Sequence, residues 1–258
     1  MLTRSAPRTL TGAQVASFEE RGFLLLERVI DESHLARLRA TLDALLRRDP
    51  QRRTADFVAD KDTSALRNIN HFTRYWIAGA ELVRQPVVLG ALRDLLGDDI
   101  RFHHTKVFLK PPHEGTAKEW HQDLWSYVDA AERERLLALG PGLSFADAPL
   151  IAAQTYLDDA TTENGCLRFV PGSHRRGLLA MNRSADRWNE DLYPATEVVQ
   201  VPAPAGSVAL FHALILHYSG PNRSAMPRRG PIVQYFAPSS ALQLVEYPPD
   251  TPFGEELV

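Results

Sequence analysis

From Ile100 to Lys110 the chain reads IRFHHTKVFLK, a run of β-type residues. It opens a series. LIAAQTYLDD (Leu150 to Asp159), GCLRFVPGS (Gly165 to Ser173), EVVQVPAPAGSVALFH (Glu197 to His212), LILHYSG (Leu214 to Gly220) and GPIVQYFA (Gly230 to Ala237) follow, set apart by Gly, Pro and Asn. Short strands at this spacing, with turn signals between them, predict an all-β sandwich or small barrel rather than a doubly wound sheet.

Upstream of Ile100 the pattern is helical. Thr11 to Arg21 carries Val15 and Phe18 at helical spacing, and GFLLLERVI (Gly22 to Ile30) is a short apolar run of strand type. Asp31 is an N-cap for a helix with Leu35, Leu38, Leu42 and Leu45 on one face, and Val87 to Leu96 is a second amphipathic helix closed by Gly97. Arg47 to Arg53, charged and interrupted by Pro50, reads as a loop. These helices should cover one face of the sheet. We expect one domain over residues 1–258, with helical support about 10–97 and a β core about 100–238. Ala130 to Ala148, AAERERLLALGPGLSFADA, breaks the strand series with a Glu/Arg-rich helical piece and a Gly-Pro-Gly step. Its apolar face looks too thin for core, so we expect a lid over residues 130–148.

Composition narrows the function. The 258 residues are 44% apolar with a net charge of −3, and no long block of like charge marks a nucleic-acid or anionic-membrane surface. A small-molecule partner is expected, with no nucleic acid and no membrane. The N-terminus lacks an apolar signal core and no apolar run approaches a bilayer span, which leads us to expect a cytoplasmic protein, monomer or homodimer. Cys166 is the lone cysteine, so any metal must be held by histidine and carboxylate.

EWHQDLW (Glu119 to Trp125) supplies such a pair, because on a strand residues i and i+2 share a face and His121 and Asp123 reach one point. A hydrogen-bonded structural pair is the bland alternative. Of the nine histidines, His34, His71, His113 and His174 read as surface or structural residues. His103 and His104 are adjacent, so only one should point inward. His212 and His217 should also face opposite ways, and His217 is the better ligand candidate because SGPN follows it at a strand end. Two histidines and a carboxylate with open positions match the facial triad of non-heme Fe(II) oxygenases.

Four blocks resemble the phytanoyl-CoA dioxygenase family of Fe(II)/2-oxoglutarate oxygenases. They are LTGAQVASFEERGFLLLERVI, HTKVFLKPPHEGTAKEWHQDLW, YLDDATTENGCLRFVPGSHRRG and VALFHALILHYSGPNRSAMPRRGPIVQYF, in family order from Leu10 to Phe236. The resemblance implies a mainly β, double-stranded β-helix (jelly-roll, cupin-type) core with N-terminal supporting helices. It also implies Fe(II), 2-oxoglutarate as co-substrate and O2. Carried over by position, it makes His121, Asp123 and His217 the metal ligands, and Arg228 the residue that grips the distal carboxylate of 2-oxoglutarate. Arg229 is excluded by strand alternation. Ser219, on the face of His217, adds a hydroxyl to that carboxylate, and Gln154 and Lys106 occupy further co-substrate positions.

Lysine is otherwise scarce: Lys61, Lys106, Lys110 and Lys118 are the only four, and three precede the HxD motif. That placement suggests a compact charge for an anion at Lys106. For the substrate pocket we expect Trp125, Tyr156, Phe108 and Arg168, with Arg175 a further candidate; Gly165, Pro171, Gly172 and Ser173 shape turns. The implied activity is hydroxylation of an unactivated C–H bond of a small molecule, with succinate and CO2 as co-products. Arginine-rich, lysine-poor usage points to a GC-rich bacterial genome, and in that setting we expect a role in secondary metabolism, that is, natural product biosynthesis. The alternatives are desaturation, cyclisation or epimerisation on the same scaffold, or a cupin-type metalloenzyme or binder that does not use 2-oxoglutarate.

Overall fold

The computed structural model describes residues 9–48, 54–60, 64–114, 116–143, 147–179, 198–238 and 242–246. Lys61 therefore lies outside the described residues, as do parts of the expected loop at 47–53 and of the expected lid. Helix α1 (Gly12–Arg21) starts at Thr11, whose hydroxyl accepts from the Gln14 amide in a capping box, and ends at Gly22 in the left-handed region (φ 83°). After β1 (Phe23–Leu26) comes α2 (Glu32–Leu46). Asp31 caps it as expected, accepting from the His34 amide at 2.9 Å. Leu35, Leu38, Leu42 and Leu45 are all buried, each contributing about 1.5–3 kcal/mol through loss of apolar surface to water. Two strands that the sequence pattern did not disclose follow, β2 (Phe57–Ala59) and β3 (Leu66–Asn70), then α3 (Ile77–Ala80) and α4 (Pro86–Leu96).

The expected strand series is present: β4 (Arg101–Lys110), β5 (Lys118–His121), β6 (Leu150–Thr155), β7 (Leu167–Phe169), β8 (Val199–Val201), β9 (Val208–His212), β10 (His217–Ser219) and β11 (Arg228–Phe236). Among the described residues these form a seven-stranded sheet, β1-β9-β6-β11-β4-β3-β2, and a four-stranded sheet, β5-β10-β7-β8. Every strand pair is antiparallel. The inner faces meet in a cluster holding Ala152, Tyr156, Phe211 and Ile232 from the large-sheet side and Leu167, Phe169 and Val201 from the small sheet. The outer face of the large sheet packs under α2 and α4 through Ile69, Val107, Leu109, Ile151, Val233 and Tyr235. The fold is the mainly β jelly-roll that was expected, with helices backing one sheet.

Two local points bear on the expectations. First, His103 and His104 do not take opposite faces. A bulge breaks the β4–β11 register, so that Gln234 pairs with His104 but Tyr235 with Phe102. The extra residue returns Phe102 to the helix-facing core. Both imidazoles then lie against Tyr127, with ring centroids 5.1 Å and 5.9 Å away.

Second, the segment expected as a lid begins with α5 (Ala130–Leu139), which is docked. Leu136 is 0% exposed within a third cluster with Leu124, Tyr127, Leu150, Leu178 and Leu214. Arg133 donates to the Trp125 and Val128 carbonyls, and Glu132 accepts from Arg135 and from the Gln243 amide. One fully buried leucine and these polar ties supply the anchorage that a thin apolar face seemed to lack. Residues 144–146 lie outside the described residues.

Candidate metal centre

His121 is the last residue of β5, but Asp123 is not on the strand: it opens a short 3-10 turn, Asp123–Ser126. Gln122 between them stays extended (φ −111°, ψ 129°), so the two side chains still emerge on one side. The Gln122 side chain goes the other way and is bonded at both ends. Its amide nitrogen donates to the Gly177 and Leu214 carbonyls, and its oxygen accepts from the Leu179 amide. This pins the HxD turn to the chain just before His217.

His217 begins β10, directly paired with His121 on one side and Phe169 on the other. Ser173 helps to hold it there, since its hydroxyl accepts from the Leu216 amide at 2.9 Å. His121, Asp123 and His217 each offer one ligand atom, all within 4.8 Å of one another. Asp123 Oδ1 is 3.3 Å from His121 Nε2 and 3.8 Å from His217 Nε2.

The tautomers follow from the partners. His121 Nδ1 faces the Glu119 carbonyl at 2.7 Å and His217 Nδ1 the Ile215 carbonyl at 3.0 Å. A carbonyl only accepts, so each Nδ1 carries a proton and Nε2 is the nitrogen left to face the shared point. Burial, followed by the neighbouring His121, pushes the His217 pKa down to about 3, which keeps its Nε2 lone pair available at neutral pH. Burial works against ionisation of Asp123, yet His217 and His121 outweigh it and hold its carboxyl below the usual range. Two imidazoles that present Nε2 and one carboxylate form a site for a borderline divalent metal.

The cavity at this point is lined by Phe108, Lys118, His121, Asp123, Gln154, Leu167, His217, Ser219, Arg228 and Ile232. Strand β11 shows why Arg228 and Arg229 are not equivalent. Arg228 lies on the inner face and is 2% exposed. Among the described residues its Nε and Nη2 have no hydrogen-bond partner, and the guanidinium carbon is 5.7 Å from the centroid of the Tyr156 ring. Burial lowers its pKa. Arg229, one residue on, faces the helices, donating to Asp158 through Nε and Nη2 and to Asp43 of α2 through Nη1. Gln154 Nε2 is likewise buried without a partner. Ser219 lines the same cavity as His217.

Lys106 does not line the cavity, but it is near enough for Asp123 to offset part of the burial that lowers its pKa. Its ammonium lies 5.5 Å from the centroid of the Phe108 ring. Lys118, which sequence reasoning set aside, does line the cavity. Lys110 instead seats the turn after Ser219, donating to the Gly220 and Thr116 carbonyls at 2.6 Å and 2.7 Å.

The substrate-pocket candidates divide. Phe108 lines the cavity and Tyr156 underlies Arg228. Trp125 is turned toward α5, its indole donating to the Leu179 carbonyl and its ring 4.7 Å from Arg133. Arg168 is on the opposite face of β7 from the cavity-lining Leu167, against the Tyr218 ring. Arg175 is exposed and lines a separate hollow beside α1. Gly165 is a backbone device as expected: at φ 81° it packs so close to Gly220 that a Cβ would meet the Gly220 carbonyl at 2.1 Å.

The model of the phytanoyl-CoA dioxygenase (PhyH) family matches residues 18–230. The chain belongs to the phytanoyl-CoA dioxygenase family. Relatives include a probable alpha-ketoglutarate-dependent hypophosphite dioxygenase of Stutzerimonas stutzeri, 32% identical over 68% of this chain and 58% of that protein, less than two thirds of its length. An L-proline trans-4-hydroxylase of Streptomyces griseoviridis is 29% identical over 83% of this chain and 82% of that one. Among solved structures, EctD from S. alaskensis with 2-oxoglutarate and 5-hydroxyectoine superposes with a TM-score of 0.75 at 23% identity, covering 98% of this chain and 88% of that one. That likeness establishes the fold. Family and enzyme class are those that the sequence blocks implied.

Proposed function

We propose that this family member is an Fe(II)- and 2-oxoglutarate-dependent dioxygenase that hydroxylates an unactivated C–H bond of a small molecule, releasing succinate and CO2. The observation that carries it is the pairing, in one cavity, of a His-Asp-His cluster with a buried guanidinium whose Nε and Nη2 find no hydrogen-bond partner among the described residues. A buried charge without a counter-ion is costly, and a planar donor fork is suited to a carboxylate. His121, Asp123 and His217 hold the iron, which when bound supplies the activation of dioxygen and the attack on the C–H bond. Arg228 takes the distal carboxylate of 2-oxoglutarate, with Ser219 as a second donor. Gln154 offers its free amide to the same co-substrate, and Lys106 brings a compact positive charge toward the metal side. Phe108 and Leu167 keep water from the cavity wall.

A metalloenzyme without 2-oxoglutarate would leave Arg228 and Gln154 buried to no purpose. Desaturation, cyclisation and epimerisation use the same binding groups and differ only at the substrate carbon. No helix among the described residues is long and apolar enough to cross a membrane. A cytoplasmic monomer or homodimer, working in secondary metabolism, completes the proposal. The test is succinate formation from 2-oxoglutarate with Fe(II) and O2. His121→Ala and Asp123→Ala should abolish it while leaving the thermal unfolding transition cooperative; wild-type succinate formation by either variant would overturn the assignment.

A further inference from the structure

Asp123 is held from two sides, and only one of them faces the histidines. Oδ1 is the oxygen directed at His121 Nε2 and His217 Nε2. Oδ2 accepts a hydrogen bond from Gln234 Nε2 at 3.0 Å. Gln234 is 1% exposed, on the inner face of β11, the face that also carries Arg228. Its amide orientation follows from chemistry, because a carboxylate oxygen accepts only from the nitrogen end. Nε2 also donates to the Tyr127 hydroxyl at 3.3 Å, while Oε1 is buried without a partner. An amide that leaves its own oxygen unsatisfied is poorly placed for packing alone, and an apolar side chain of the same length would fill the space without that cost.

We infer that Gln234 is a positioning residue for the metal centre: by holding Oδ2 it presents Asp123 to the metal through Oδ1 alone. This rests on the reading of His121, Asp123 and His217 as metal ligands. A carboxylate bound through both oxygens would take a further coordination position, one that a chelating co-substrate and dioxygen require. The tie also makes β11 a link between the two halves of the site, since the strand that offers Arg228 to the co-substrate also orients the carboxylate ligand. Outer partners of this kind commonly change metal affinity by about 10–100-fold when removed.

The test uses the full chain and Co(II) alone, as a metal that does not react with O2 in this site. Gln234→Met, which keeps length and removes the donor, should raise the Co(II) dissociation constant by roughly 10–100-fold and change the Co(II) visible absorption as the second oxygen joins the coordination sphere. Its metal-free unfolding temperature should fall by no more than a few degrees, because losing the bond to Oδ2 is offset in part by removal of the unpartnered Oε1. Tyr127→Phe keeps the bond to Asp123 and should leave both the constant and the spectrum as in wild type. An unchanged constant and spectrum in Gln234→Met would overturn the inference, as would equal weakening by Tyr127→Phe, which would make the site sensitive to any local loss. Wild-type protein that binds no more Co(II) than His121→Ala would instead strike out the metal centre itself, and the inference with it.

Discussion

Replacing Arg228 and Arg229 separately by Met should give opposite results. Arg228 is 2% exposed and, among the described residues, has no carboxylate bonded to it; Asp158, whose charge acts on it, is taken by Arg229. Removing a buried charge that lacks a partner should stabilise the unliganded protein by about 1–4 kcal/mol, an upward shift of roughly 3–10 °C in unfolding temperature for a chain of this size. Arg229→Met should do the reverse. It strips Asp158, whose side chain is 13% exposed, of two hydrogen bonds. The loss should be about 2–4 kcal/mol, reduced on the Asp43 side because that carboxylate is 42% exposed and screened.

Co-substrate should invert the order. At a concentration 100 times its dissociation constant, 2-oxoglutarate should stabilise the wild type by about 2.7 kcal/mol. Losing the charge partner costs about 2–5 kcal/mol of binding, so the same concentration should stabilise Arg228→Met by less than about 0.9 kcal/mol. Arg229→Met should keep nearly the full wild-type increment. Anaerobic scanning calorimetry of the Mn(II)-loaded proteins, with and without 2-oxoglutarate, reads both effects. An Arg228→Met variant that is destabilised when unliganded, or that retains the 2-oxoglutarate shift, would refute the reasoning.

Leu136→Ala on α5 should cost about 2–5 kcal/mol in denaturant unfolding, as for a fully buried leucine, with succinate and hydroxylated product still formed in equal amounts; a stable but uncoupled variant would restore the lid reading. Acid should unfold the metal-free protein early. Burial pushes the pKa of His103 down to about 4, of His212 to about 3 and of His104 to about 2. These folded values lie below those of the unfolded chain, which therefore takes up protons first, so this stability is fully present above about pH 6.5 and is lost as pH falls below it. Between pH 6.5 and 5 the three together should remove about 5 kcal/mol, a large part of a typical 5–15 kcal/mol total. Circular dichroism against pH checks this, and a transition no higher than pH 3 would contradict it.

What was legible in the chain depended on how local its cause was. The α2 helix and its cap were readable because Asp31 and four leucines lie within one stretch, whereas Arg228 was picked out by its position in the family resemblance, strand alternation adding only that Arg229 could not share its face. β2 and β3 were not readable: FVA and LRNIN are short, and they are strands only because β4 offers an edge. The face of His103 depended on a bulge opposite Gln234, a property of two strands far apart in sequence. Gln234 itself left one signal, a lone amide in the apolar run GPIVQYF, whose meaning appears only when Asp123 is placed beside it.

The two halves of the site are held by different means, and the topology says why. β11 lies inside the large sheet, paired with β6 on one side and β4 on the other. Its alternation is enforced from both edges over Ile232 to Phe236 and is carried on to Arg228 by the pairing with Lys110 of β4, so backbone pairing keeps Arg228 inward. Among the described residues β5 is an edge strand of four residues, paired only with β10, and its register shifts between His217 and Ser219. Asp123 stands beyond its end, where no ladder reaches. Side chains must therefore do there what backbone pairing does for Arg228. Gln122 ties the turn to the segment that leads into His217, and Gln234 reaches across from the rigid sheet to the carboxylate. An HxD motif at the end of a short edge strand can be accurate only if such ties exist, which is why the amides beside the ligands matter as much to the geometry as the ligands do.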